Sequence, residues 1–402
     1  MNVKITPSVA EGTVKAPPSK SMCHRALISA ALTEKSTVYG ISFSKDIEAT
    51  LSCLKALGAN VEIEGDKAIL GSLSPLCPDV KGELNCCESG STLRFLIPLC
   101  MLSKKEITLT GSERLFERPL DIYEQIAKEN NIDFVKTKNS LTIKGKLGGG
   151  KFRVRGDVSS QFISGLLFAL PFLYKNSSIE VTGHLESASY IDLTIKALSD
   201  FGVNVKRDNN IFYIDKDSRY CSRNYSVEGD YSNAAFLDAF NLLGGNVKVL
   251  NLSENSLQGD RVYKKMYEGL LKGEREFDLT DCPDLAPVMM ALSALFGKTT
   301  FLGTRRLKIK ESDRAKAMAS ELSKLNVKTE IYENSLTVFG GKINAPSEPI
   351  LSHNDHRIVM AMALLLTKTG GEIIGAEAVS KSYPNFFEEI QKLKIGLEIN
   401  VN

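Results

Sequence analysis

Six times along the chain, a polar opening leads into a run of roughly ten to fifteen apolar and small residues, then a Gly or Lys turn and a short β-rich segment. The copies read SKSMCHRALISAALTEKSTVYG from Ser19, ESGSTLRFLIPLCMLSKKEITLTG from Glu88 and DVSSQFISGLLFALPFLYKNSSIEVTG from Asp157. They continue as GDYSNAAFLDAFNLLGGNVKVLNL from Gly229, CPDLAPVMMALSALFGKTTFLG from Cys282 and NDHRIVMAMALLLTKTGGEIIG from Asn354. Ala-rich interiors with apolar positions around most of the circumference predict buried helices. A second, amphipathic pattern follows most copies, as in DIEATLSCLKALGANVEIEG, PLDIYEQIAKENNIDFVKTK, YIDLTIKALSDFGVNVKRD and DRAKAMASELSKLNVKTEIYE. There apolar residues recur at three and four, and a Gly or Asn ends the run. Alternating segments around turn residues predict hairpins next: EIEGDKAILG, VKTKNSLTIKG, VKRDNNIFYID and KTEIYENSLTVFGG. The fifth copy reads as shifted, its partner VYKKMYEGLLKG preceding a shorter spacing. Six strand-and-helix units of about 70 residues are expected to divide into two lobes of three with a cleft between them. The periodicity breaks at SRYCSRNYSVEGD, residues 218–230, the expected crossing point.

Length and charge limit the function classes. With 402 residues, 43% hydrophobic, the chain can bury more than one core. A formal net charge of +2 with intermixed acids and bases argues against a nucleic-acid binder acting through bulk charge. No 18-residue apolar span occurs, and MNVKITPS lacks a signal peptide's apolar region, so a soluble cytoplasmic protein without membrane partners is expected. The eight cysteines form no CxxC pair and read as buried free thiols.

Chemistry gathers at the openings of the repeats. PPSKSMCHRAL puts Lys20, Ser21 and Arg25 at one predicted helix start, where free backbone N–H groups favour a phosphate or carboxylate. Taken singly, such cations read equally well as surface charges. The other openings supply Ser89, Gly90, Ser91 and Arg94; Ser159, Ser160 and Gln161; Asp284; and Asn354-Asp355-His356-Arg357. Between units lie Arg114 and Arg118, Lys310 and Arg314, and Lys381. So many cations with few acids suggest ligands carrying more than one anionic group. Asp284 and Glu311 are either ion-pair partners or a proton acceptor and donor, and Asp313 reads as structural. His353 and His356 beside Arg357 are a poor metal pair, and no metal is expected. The absence of GxxxxGK[ST] and GxGxxG leaves no cofactor implied; GKLGGG is a turn.

In order, PPSKSMCHRAL, ESGSTLR, ERP, DVSSQF, CPDLAP, LKIKESDR, NDHR and SKSYP resemble the 3-phosphoshikimate 1-carboxyvinyltransferase (EPSP synthase) family over nearly the whole chain. The resemblance implies an α/β fold of two inside-out barrel domains, each of three βαβαββ units around buried parallel helices. They would comprise residues 1–14 plus 226–402 and residues 15–225. It implies a monomer in the shikimate pathway that transfers the enolpyruvyl group of phosphoenolpyruvate to the 5-hydroxyl of shikimate 3-phosphate, releasing phosphate. By the same resemblance Lys20, Ser21, Arg25, Ser159, Ser160, Gln161, Ser187, Asp284 and Lys310 would hold shikimate 3-phosphate, with Tyr190 against its ring. Lys20, Gly90, Arg118, Gln161, Arg314, Arg357 and Lys381 would hold phosphoenolpyruvate, with Arg94 and Arg114 near it. Asp284 would be the proton acceptor, Glu311 the proton donor, and Lys20 a third catalytic group.

Departures from the family pattern are Glu88 where many members carry Asn, Pro17-Pro18 where Pro-Gly is usual, and Arg306 where some carry a ligand-contacting Asn. Gly90 keeps the glycine whose replacement by Ala in this family lowers glyphosate binding, which implies sensitivity to that compound. The sister family acting on UDP-N-acetylglucosamine carries a catalytic Cys before its Arg-Pro pair; GSERLFERP has none.

Overall fold

The computed structural model describes residues 1–400. The chain forms two compact units, Pro18–Glu228 and Met1–Pro17 with Gly229 onward. It passes between them at Pro17–Pro18 and at Glu228–Gly229. Pro17 O accepts from Asp230 N at 2.8 Å, and Glu228 O accepts from Ser19 N at 2.7 Å. Neither bond needs an N–H from the proline pair, so Pro18 is tolerated where a glycine is usual.

Strand and helix alternate as the repeats predict. All six apolar runs are helices: Lys20–Ala31, Gly90–Cys100, Ser160–Ala169, Tyr231–Leu242, Ala286–Phe296 and His356–Thr369. Burial is nearly continuous along them; every residue from Ala286 to Ala294 is buried. The amphipathic helices bury one face only. In Asp121–Glu129 the buried residues are Ile122, Tyr123, Ile126 and Ala127, the spacing of a single helical stripe. Gly165 permits a close approach between Ser160–Ala169 and Gly90–Cys100. A Cβ there would stand 2.2 Å from the Tyr123 hydroxyl and 2.4 Å from Arg94 O.

Among the described residues the strands form six separate sheets, five of four strands and one of two. Each four-stranded sheet repeats one plan, a leading strand parallel to the next, followed by an antiparallel pair. In one, Lys151–Arg155 runs parallel to Ser177–Thr182, which pairs with the hairpin Val205–Asp208 and Ile211–Ile214. The four quoted hairpins all form. Two sheets draw strands from distant sequence. Asn224–Ser226 leads Ser36–Tyr39, and Asn2–Ile5 takes the third place beside Gly371–Ile374 and Leu397–Asn400. Val3 and Ile5 alternate inward, which selects that register.

Two expectations need correction. The irregular unit is the fourth, not the fifth: Tyr263–Leu271 follows the Tyr231–Leu242 helix and leads directly to Glu276–Asp278 without a hairpin. Its sheet is therefore only Asn246–Leu250 beside Glu11–Lys15. Of the cysteines, Cys23, Cys53, Cys86, Cys100 and Cys282 are buried, but Cys77, Cys87 and Cys221 are exposed because they lie in loops. Among the described residues no helix is long and apolar enough to cross a membrane.

Candidate active-site groups

In the Pro18–Glu228 unit, the starts of three buried helices carry the expected polar groups, each capped by its own chain. Ser19 accepts from Met22 N, Ser89 from Thr92 N and Ser159 from Gln161 N. Each cap uses one otherwise unsatisfied amide and fixes the side chains that follow. Lys20 pairs with Asp46 at 2.7 Å, both side chains mostly buried. Arg25 is 2% exposed and binds Thr194 Oγ1 at 2.8 Å, Ser21 O at 2.7 Å and Tyr190 O at 2.9 Å. Its guanidinium lies 5.1 Å from the Phe95 ring centroid, and burial pulls its pKa down to about 10, so it stays charged at neutral pH.

Arg94 donates to Gln161 Oε1 at 2.8 Å and to Pro119 O at 3.0 Å, and Gln161 Nε2 reaches Ser91 Oγ at 3.0 Å. Gln161 thus ties two helix starts together. Arg118 lies over Gly90 so closely that a Cβ there would meet its Nη1 at 2.6 Å. Ser160 is buried, and Ser187 is buried in left-handed geometry at φ 56° just before the Ala188–Asp200 helix. Arg114 lies farther out, 41% exposed and paired with Glu117 at 3.1 Å.

The second unit gathers the acids. Arg314, 2% exposed in its side chain, donates Nη1 to Asp284 at 2.7 Å, Nη2 to Glu311 at 2.6 Å and Nε to Asp355 at 2.9 Å. Asp284 also receives Arg357 at 2.9 Å and Lys310 at 3.4 Å. Burial alone would raise the pKa of Asp284, but Arg357, Lys310 and Arg314 hold it well below the usual carboxylate range. Burial lowers the pKa of Lys310, against the pull of Asp284. Arg314 shows the reverse balance: burial would weaken its charge, while Asp355, Glu311 and Asp284 strengthen it. Arg357 further binds Ser232 Oγ, and Lys381 binds Asn354 O. Arg306 is buried and donates to Thr280 O at 2.6 Å. Asp313 is the N-cap of Arg314–Lys324, the structural role expected of it.

Asp46 was missed as a member of these groups, and Asp355 was named only as part of a helix opening, without its partners. Asp355 is fully buried; its carboxylate caps its own helix through Arg357 N and binds Arg314 and Ser312 Oγ at 3.1 Å. Its place before an apolar run was a capping signal, whereas nothing local marks Asp46 as the partner of Lys20. The two histidines take different partners: His353 Nε2 lies 2.7 Å from Glu321, and His356 is buried. No group of described residues could hold a metal ion.

Comparisons with known proteins agree on one family. The family model described as EPSP synthase (3-phosphoshikimate 1-carboxyvinyltransferase) matches residues 5–390. A 3-phosphoshikimate 1-carboxyvinyltransferase of Clostridium novyi (strain NT) is 41% identical over 98% of this chain and 97% of its own. The same-named protein of Clostridium kluyveri is 43% identical over 97% of each chain. The solved structure of EPSP synthase from Acinetobacter baumannii superposes with a TM-score of 0.80 at 22% identity, covering 100% of both chains. That last likeness bears on the fold alone.

Proposed function

The chain belongs to the EPSP synthase family and is an enolpyruvyl transferase; from that premise we propose that it joins phosphoenolpyruvate to the 5-hydroxyl of shikimate 3-phosphate and releases phosphate. The observation that carries this reading is the buried Arg314 held between Asp284 and Glu311, with Arg357 and Lys310 on the same Asp284 carboxylate. Asp284 and Glu311, placed among three cations with Asp355 behind Arg314, suit proton transfer to and from doubly anionic ligands.

Glu311 donates a proton to the methylene carbon of phosphoenolpyruvate, which leaves C2 electron-poor. The 5-oxygen of shikimate 3-phosphate bonds to C2 as Asp284 takes its hydroxyl proton, giving a tetrahedral ketal phosphate. The C2–O bond to phosphate then breaks, Asp284 passing its proton to the departing phosphate, while Glu311 takes back a methyl proton and the carbon–carbon double bond returns. Arg118, Arg314, Arg357 and Lys381, with Gly90 and Gln161, hold the carboxylate and departing phosphate. Lys20, Ser21, Arg25, Ser159, Ser160, Ser187 and Lys310 hold shikimate 3-phosphate. Lys20 also steadies the charge passing between ligands. The protein acts without cofactor or metal, as a monomer of two inside-out domains, residues 1–14 plus 226–402 and 15–225.

The test is phosphate release from phosphoenolpyruvate, with shikimate 3-phosphate or UDP-N-acetylglucosamine as acceptor. Release that depends on shikimate 3-phosphate alone is expected. The sister acceptor is disfavoured because no cysteine lies between Gly111 and Pro119. Turnover with the sugar nucleotide, or with neither acceptor, refutes the assignment.

A further inference from the structure

His24 belongs to none of the groups described above, yet it lies between two cations of the Lys20–Ala31 helix and is 1% exposed. Its Nδ1 lies 2.8 Å from Thr50 Oγ1 on the Lys45–Ala56 helix. Thr50 Oγ1 lies 2.6 Å from Thr92 Oγ1 on the Gly90–Cys100 helix, and Thr92 donates to Ser89 Oγ, that helix's N-cap, at 2.7 Å. His24 Nε2 is buried without a hydrogen-bond partner.

The proton count along this chain gives it a direction. The Thr92 hydrogen is committed to Ser89, so the hydrogen in the Thr50–Thr92 contact comes from Thr50. Thr50 then has only a lone pair for His24, and Nδ1 must carry the hydrogen. Burial, with Lys20 and Arg25 alongside, pulls the His24 pKa well below its usual value and keeps the ring neutral. Thr50 and Thr92 both lie within reach of Asp46 O, at 3.3 and 3.5 Å, and the Asp46 carboxylate holds Lys20. One buried polar chain therefore ties the helix bearing Lys20, Ser21 and Arg25 to the turn that begins the helix bearing Gly90 and Arg94.

We propose that His24 is a positioning residue that, through Thr50 and Thr92, fixes the Ser89–Gly90 turn relative to Lys20 and so sets the affinity for phosphoenolpyruvate. The proposal rests on the proposed function, in which Gly90 and Lys20 contact that substrate. A neutral donor suits this task where a charged one would not, because a third cation between Lys20 and Arg25 would repel both.

The experiment has a spectroscopic and a kinetic arm on the full chain. In 15N-histidine-labelled protein, the signal lost in His24→Gln should show the Nδ1–H tautomer, unchanged from pH 8 to 6. Thr92→Val, which removes the Thr50–Thr92 and Thr92–Ser89 hydrogen bonds together, should raise KM for phosphoenolpyruvate at least about five- to tenfold, with kcat within about threefold. Thr92→Ser, which restores the hydroxyl without the methyl group, should return KM to within about twofold of wild type. An Nε2–H tautomer, an unchanged KM in Thr92→Val, or failure of Thr92→Ser to restore it overturns the role of His24 and leaves the proposed function standing. A wild type that turns over neither substrate overturns the proposed function, and the claim about phosphoenolpyruvate falls with it.

Discussion

Replacing Gly90 by Ala would test whether this position is glycine for space or for backbone freedom. Gly90 is the first residue of its helix and does not have positive φ, so the backbone accepts alanine. The obstacle is Arg118, whose Nη1, Cζ and Nη2 would lie 2.6, 2.8 and 2.9 Å from the new methyl. To regain ordinary contact at 3.4 Å the guanidinium must withdraw by roughly 0.8 Å. A charge-assisted hydrogen bond contributes about 1.5–3 kcal/mol, and such a shift forfeits roughly half of one. At about 1.4 kcal/mol per factor of ten, KM for phosphoenolpyruvate should rise about three- to tenfold.

Steady-state kinetics with each substrate varied in turn gives the comparison. KM for shikimate 3-phosphate should move less than about twofold, and the melting temperature should not fall, since alanine is the better helix former by about 1 kcal/mol. The cause is isolated by repeating the change in an Arg118→Ala background, where the methyl has nothing to displace. The two effects should then fail to add. Equal effects of Gly90→Ala in both backgrounds, or no change in KM, would refute the crowding argument.

Lys20→Ala should lower kcat and raise KM for both ligands, because its ammonium is mostly buried against Asp46 rather than on the surface; unchanged values in all three would make it a structural cation. Glu311→Gln, which keeps the shape and one acceptor for Arg314, should reduce kcat by roughly 10²–10⁴-fold while binding, read by calorimetry, changes little. Gly165→Ala should destabilise the protein by about 1–3 kcal/mol in urea unfolding, because the Tyr123 hydroxyl and Arg94 O leave no room for a methyl; a fully stable variant would contradict the helix approach described above.

What the sequence made legible was local. Each buried helix announces itself by an apolar run of helical length, and each hairpin by turn residues between alternating segments, because those signals lie within one element. Pairing between remote strands carries no such mark. NVKI reads as a strand, but nothing within it indicates residues 371–374 and 397–400 as its neighbours. The fourth unit was misread because VYKKMYEGLLKG suits an amphipathic helix anywhere, and only the missing hairpin shows which buried helix it follows. The cations of the candidate site stood out because they cluster beside helix starts, whereas their partners did not. Asp46 reaches Lys20 across 26 residues, and Thr92 lies 42 residues from Thr50. Those contacts follow from how the helices pack, which the one-dimensional pattern does not contain.

The partners of Asp284 also bear on how it acts as a base under the proposed function. It is bonded to Arg314, Arg357 and Lys310, and its pKa lies well below the usual range. A carboxylate so stabilised is ionised but a weak proton acceptor. Glu311 is held by the same Arg314, at 2.6 Å. Under the proposed function, the carboxylate and phosphate of phosphoenolpyruvate would compete for those guanidiniums, and whatever cationic field they drew off would leave Asp284 the stronger base. The sign follows: the folded pKa of Asp284 is depressed by its three cationic partners, so the acid limb of kcat/KM should lie low. The limb of kcat, which reports the loaded enzyme, should lie at higher pH. Rates measured from pH 4 to 9, corrected for the substrates' own phosphate titration read by 31P NMR, locate the kcat limb and show whether kcat/KM stays level where kcat falls. Coincident limbs would mean that the arginines stay on Asp284 throughout turnover, and the base would then have to be sought elsewhere.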